Sequence, residues 1–273
     1  MPGGVYGERA PRTGALFSLA RLASLALLAA LAWWPAAEGA ACGADHVDAR
    51  ARVSYVFDGD TIKLADARHV RFIGINAPEI AHDGKPAQPF GVRAAAQLRG
   101  LLRRHHHRVE LRYDVQRRDH YGRTLAHIFL DDGTNVEQWL LQRGLATTLA
   151  VPPNLWNIDC YRQAERRARA ARRGIWALPR YQPVEAQRLP RGTRGYRLVR
   201  GRVAHVGTTG RSVWLDLAGG MALRIARPDL HYFPPGNWTM LKGKMVLARG
   251  WVHWYHGRPQ MRIRHPAALQ IEN

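Results

Sequence analysis

The stretch VSYVFDGDTIKLADARHVRFIGINAPE, residues 53–79, decides the fold. Apolar residues alternate through Val53, Tyr55 and Phe57, resume at Ile62 and Leu64, and return at Val70, Phe72 and Ile73. A two-residue period marks short strands, and Asp58-Gly59 and Asp66-Ala67 supply turns between antiparallel neighbours. Outward from there, Phe90, Ala94, Leu98 and Leu101 fall at helical spacing. Val109, Leu111 and Tyr113 mark one further strand, and Leu125 to Leu130 another. Thr134 with Glu137 three residues on predicts a capping box for a helix ending at Gly144. Tyr161, Ala164, Ala168, Ala171 and Ile175 predict a last helix, with Arg162, Arg166, Arg167, Arg169, Arg172 and Arg173 on its outer face. Five short strands with helices at their junctions predict a mostly β, α+β fold: a five-stranded Greek-key barrel of the OB type.

Residues 179–196 predict a linker, because Pro179, Pro183, Pro190, Gly192 and Gly195 punctuate a stretch without apolar period. Strand signals resume at Tyr196–Val206, Ser212–Leu217, Met221–Ala226, Lys244–Trp254 and Gln260–Arg264, so 197–273 is expected to form a second small OB-like barrel. Arg249 to Tyr255 set aromatics beside basic residues, a composition that serves base stacking, although such tryptophans more often belong to a core. Of the 273 residues, 41 are basic and 21 acidic, leaving +20 and favouring a polyanionic partner. A GC-rich genome would also enrich arginine, and charge alone does not separate a binder from an enzyme.

At the N-terminus, Arg9 and Arg12 precede an apolar run from Leu16 to Trp34 and then small residues. That order predicts a signal peptide over 1–41, cleaved after Gly39 or Ala41, and hence a periplasmic or secreted protein. The run of roughly 19 residues is also long enough to anchor the chain in the inner membrane if it stays uncleaved. Two cysteines, Cys42 and Cys160, are expected to pair in an oxidising compartment; two unpaired thiols are the alternative. No Cys/His spacing points to zinc, and the His105-His106-His107 run predicts a solvated loop.

Hydrolysis of a phosphodiester needs a polarised phosphate, an oriented water and positive charge on the pentacoordinate transition state. Asp58-Gly59-Asp60-Thr61 offers two carboxylates around a glycine turn, oxygen donors of the kind that hard cations prefer. Arg71 precedes Asn76-Ala77-Pro78-Glu79, and Asp119-His120-Tyr121-Gly122-Arg123 follows. Each motif alone is weak, since turn acids and strand arginines usually carry no chemistry.

Their order, DGDT, then Arg71 before GINAPE, then DHYGR and a terminal RRGIW, closely resembles the thermonuclease (staphylococcal nuclease) family across about residues 53–178. The pattern is similar to secreted Gram-negative members with an additional C-terminal domain, which sets the first domain at 42–178. The resemblance implies hydrolysis of DNA and RNA with calcium, leaving 3′-phosphate ends. It implies Arg71 and Arg123 as phosphate-binding guanidiniums, and Glu79 as the residue that positions or deprotonates water. It further implies Asp60, Asn76 and the Ala77 backbone carbonyl as metal ligands, with Tyr121 and His120 near the nucleic acid and Asp58 tuning the site.

Four departures stand out. Asn76 replaces a carboxylate ligand, so calcium affinity should weaken or magnesium or manganese should substitute. Ala77 replaces a threonine. The two tyrosines flanking the family's nucleotide pocket fall near Ala150 and Pro152, and His120 replaces a lysine. The competing expectation is a non-catalytic envelope protein of two OB-like barrels that binds nucleic acid; no protein partner is evident. Survival of Arg71, Glu79 and Arg123 together favours the enzyme.

Overall fold

A computed structural model of the chain describes residues 1–7, 42–81 and 84–272. Of the segment read as a signal or anchor, 1–41, residues 8–41 lie outside the described residues. Among the described residues, no helix is long and apolar enough to cross a membrane.

The strands β1 (Ala49–Val56), β2 (Thr61–Leu64) and β3 (His69–Phe72) form the antiparallel meander expected from alternation. The two-residue β4 (Ile75–Asn76) follows, and then helix α1 (Gly91–Arg104), which buries Ala94, Leu98 and Leu101. Next come β5 (Arg108–Arg112) and β6 (Thr124–Phe129). β3 pairs in parallel with β6, β6 antiparallel with β5, and β5 with β1, closing a five-stranded barrel. Ile62, Leu64, Val70, Leu111 and Ile128 fill it, all buried. Helix α2 (Val136–Gln142), strand β7 (Thr147–Thr148) and helix α3 (Ile158–Ala170) complete the domain, with β7 paired to β4.

The expected capping box is corrected. The N-cap of α2 is Asn135, whose side chain accepts the Gln138 N–H at 2.7 Å, and the helix ends at Gln142. Glu137 is wholly buried and instead accepts the Ile128 backbone N–H at 3.0 and 3.2 Å. Two capping residues adjoin, and the tertiary use of Glu137 selects the second. Cys42 and Cys160 form a disulfide, tying the chain ahead of β1 to α3. Closing a loop of 118 residues disfavours the unfolded chain by roughly 4–5 kcal/mol.

The expected linker is partly built into a sheet. It holds two short 3₁₀ turns, Pro179–Tyr181 and Ala186–Arg188, and β8 (Pro183–Glu185), which pairs in parallel with β9 (Gly195–Thr208). β10 (Ser212–Leu217) and β11 (Ala222–Ala226) continue the meander, followed by β12 (Met245–Tyr255) and β13 (Arg258–Arg262). β11 pairs in parallel with β13, β13 antiparallel with β12, and β12 with β9. That pairing order repeats the first barrel, so both are OB-like; β8 and β14 (Leu269–Glu272) extend the second at its flanks. A cluster of Ala168, Ile175, Trp176, Tyr181, Tyr196, Leu198 and Leu247 packs the two barrels together within one compact unit, 40–273.

Candidate active site

Strand register sets the two guanidiniums side by side. Arg71 on β3 lies opposite Leu125 on β6, and Val70 lies opposite Thr124. Side chains alternate along a strand, so Arg71, Leu125 and Arg123 share the outer face while Val70, Phe72 and Ala126 point into the core. Arg71 and Arg123 accordingly line one cleft of about 380 Å³, with His120, Asp119, Gln116 and Asn154. Asp119 Oδ2 accepts Arg123 Nε at 2.7 Å and Asp119 Oδ1 accepts the Arg123 backbone N–H at 2.9 Å. No hydrogen bond to a described residue engages the Arg123 terminal amines, which suits them to a phosphate.

Arg71 is more tightly held. Its Nε lies 3.1 Å from Asp60 Oδ1, and its terminal amines donate to the Phe72 carbonyl at 2.7 Å and Asn76 Oδ1 at 3.2 Å. Asp60, 3% exposed, also accepts the Ala77 N–H at 2.5 Å and the Thr61 hydroxyl at 3.1 Å. Asn76 Nδ2 donates to the Ala77 carbonyl at 3.2 Å. The three residues implied as metal ligands therefore meet at one corner beside Arg71. Their donors are carboxylate, amide and carbonyl oxygens, a set that fits calcium or magnesium and not a soft metal.

The local sequence explains this corner. A Cβ on Gly59 would come within 2.7 Å of the Ala77 Cβ and 2.8 Å of the Ala94 Cβ, so the DGDT turn packs closely only without a side chain. Asp58 accepts the Asp60 N–H at 2.8 Å across that turn. Burial, with the neighbouring Asp60 and Glu79 charges, pushes the Asp58 carboxyl up to about 7. Glu79 is half-buried near Asp58, and it is not among the residues lining the cleft of Arg71 and Arg123. Its carbonyl accepts the Gln88 N–H at 2.9 Å and would lie 2.2 Å from a Cβ at Gly91, so the start of α1 fixes where Glu79 sits.

Tyr121 is exposed on the turn before β6, its ring 3.7 Å from that of His120 and 5.5 Å from Arg123 Cζ. His106 and His107 occupy a left-handed turn, while His105 Nδ1 lies 2.6 Å from Asp131 Oδ1, outside the cleft. The sequence reading missed Gln116 and Asn154, which lock the cleft wall by reciprocal backbone bonds: Asn154 Oδ1 accepts the Gln116 N–H at 2.7 Å and its Nδ2 donates to the Gln116 carbonyl at 2.8 Å. It also missed Arg264, which reaches the same cleft from the second barrel. Only their separation in sequence hid them, since no local motif links residue 264 to residue 71.

A closed OB barrel with paired arginines beside an oxygen-donor corner defines a hydrolase of the nuclease class. Residues 69–178 match the Staphylococcal nuclease homologue family. The thermonuclease of Staphylococcus hyicus is 34% identical over 131 residues, 46% of this chain and 75% of that protein. The thermonuclease of Staphylococcus intermedius is 39% identical over 132 residues, 45% of this chain and 74% of that protein. A Bacillus subtilis prophage-derived endonuclease is 34% identical over 129 residues, covering 43% of its own length. The chain belongs to the staphylococcal nuclease family.

Proposed function

We propose that this protein is an exported, metal-dependent endonuclease that hydrolyses phosphodiester bonds of DNA and RNA and leaves 3′-phosphate ends. The carrying observation is the register that turns Arg71 and Arg123 to one cleft, with the Asp60–Asn76–Ala77 corner at its edge. Arg123, oriented by Asp119, binds a non-bridging oxygen of the scissile phosphate through its terminal amines. Arg71 neutralises a second oxygen, and both contacts strengthen as negative charge builds on the non-bridging oxygens. Glu79 orients a water for in-line attack and takes its proton. The P–O5′ bond breaks, the 5′-oxygen leaves and takes a proton from solvent to become a 5′-hydroxyl, and the phosphate stays on the 3′ side. Asp60, Asn76 and the Ala77 carbonyl would hold a divalent cation, calcium by donor type, which supplies charge to polarise the phosphate. The net charge of +20 supports capture of a polyanion.

Purified protein is tested on plasmid and single-stranded RNA with calcium, magnesium, manganese or chelator. Cutting with a divalent cation and none with chelator is expected. Binding without cutting under every condition would favour the non-catalytic reading, for which the amide at Asn76 is the relevant feature.

A further inference from the structure

A second cleft, of about 250 Å³, opens between the barrels and shares Leu149, Val151 and Arg264 with the cleft of Arg71 and Arg123. The alternation of β12 builds its far wall. Ala248 and Val252 point into the second barrel, and Arg249, Trp251 and His253 lie on its outer face. Arg249 is spent at the interface, where its Nη2 donates to the buried Glu165 and its Nε to the Tyr196 hydroxyl. Trp251 is different: it is 43% exposed, and the Tyr196 ring braces it edge-on at 5.4 Å.

Beside it, Arg262 and Arg264 share one carboxylate, Asp229, which is 3% exposed behind them. Two guanidiniums against one acid leave a net positive wall. Arg264 also donates to the Pro152 carbonyl at 3.1 Å, which holds its head at the junction of the two clefts. Opposite, the segment at 149–152 offers aliphatic side chains where the family resemblance puts two tyrosines. An aromatic platform is thus missing from the first barrel, and the second barrel presents one next door.

We propose that the second barrel completes the substrate site. The cleft lined by Leu149, Val151, Trp251, His253, Arg262 and Arg264 takes the nucleotide adjacent to the scissile phosphate. Its base stacks on Trp251 and its phosphate lies on Arg264. The proposal rests on the nuclease reading above. Stacking tolerates any base and phosphate contacts carry no sequence information, so this subsite adds affinity without base preference.

The test uses the full chain as Trp251→Ala, Trp251→Phe and Arg264→Ala, with the exposed Arg211→Ala as an equal-charge control outside both clefts. Binding of a short fluorescein-labelled oligothymidylate is read by anisotropy in chelator, alongside kcat and KM for its cleavage with calcium. Trp251→Ala should weaken binding and raise KM roughly tenfold, a typical loss for one stacked base, whereas Trp251→Phe should stay within about twofold of wild type. Arg264→Ala should flatten the salt dependence by about one phosphate contact, and Arg211→Ala should not. If wild type cuts yet Trp251→Ala and Arg264→Ala bind and cut as it does, the subsite is overturned and the nuclease reading stands. If Trp251→Phe loses as much as Trp251→Ala, stacking is overturned. If nothing cuts with any cation but Trp251→Ala still weakens binding, the nuclease reading fails and the cleft remains a nucleic-acid site.

Discussion

At Arg71 three of the five guanidinium N–H donors face Asp60, Asn76 and the Phe72 carbonyl, which leaves two for a phosphate, while Arg123 is tethered by Nε alone. On the proposed function the two arginines would have different duties, Arg71 tying the phosphate to the oxygen-donor corner and Arg123 presenting loose donors to charge that appears in the transition state. Arg123→Ala and Glu79→Gln are expected to lower kcat by at least about 100-fold with little change in the unfolding transition, measured by steady-state cleavage and urea titration. Unaltered kcat would remove both roles. Asn76→Asp restores a charge at the corner and should tighten calcium binding in calorimetry; no gain would place residue 76 outside the coordination sphere. The meeting of Asp60, Arg71, Asn76 and Ala77 was legible in the sequence because turn and strand motifs keep them close along the chain, whereas Glu79, equally close in sequence, does not line the cleft of Arg71 and Arg123. The run from Arg249 to Tyr255 was legible as a stacking composition, but its place beside the first barrel, like that of Arg264, was not, because neighbours across two barrels leave no spacing to read.

Among the elements, alternation located the five strands of each barrel, since each has one face in a core and one in solvent. It passed over β4 and β7, two residues each and too short to show a period, although β4 carries Asn76. It also read β8 as linker, where prolines mask a strand paired along only one edge. The outer face of β6 holds one buried polar residue, covered by Trp156 and by Tyr161 of α3. His127 is fully buried, its Nδ1 lies 2.8 Å from the Tyr161 hydroxyl, and Asn135 Nδ2 donates to that hydroxyl at 3.0 Å. Burial, helped by the Arg112 charge, pushes the His127 imidazole down to about 3. A depressed folded-state value means stability present above the unfolded value near 6.5 and lost as pH falls toward 3. Stability should therefore decline with acid at up to ~1.4 kcal/mol per pH unit from this group, and His127→Phe should flatten that limb of a urea-unfolding series. The same slope in the variant would assign the acid sensitivity to other groups.

For the molecule as a whole, the barrels meet through one buried charge pair. Glu165 on α3 is 1% exposed and accepts Arg249 Nη2 from β12 at 2.5 Å. Its other oxygen accepts the Thr148 N–H at 3.3 Å, and Thr148 lies opposite Ile75 on β4, one residue before Asn76. A chain of direct contacts thus runs from the second barrel to the oxygen-donor corner. Arg249→Ala strands the Glu165 carboxylate, 1% exposed, without its partner, which costs about 3–5 kcal/mol. The melting temperature should fall on the order of 10 °C, in a single transition because Trp176, Tyr196 and Leu247 belong to one shared cluster. Arg249→Met with Glu165→Leu removes both charges and should recover most of that loss. If the strand pairing transmits the disturbance, Arg249→Ala will also raise the calcium concentration needed for half-maximal cutting, and the double variant will restore it. Two separate melting transitions, or a calcium requirement that never moves, would show that the second barrel is joined to the first without supporting its site.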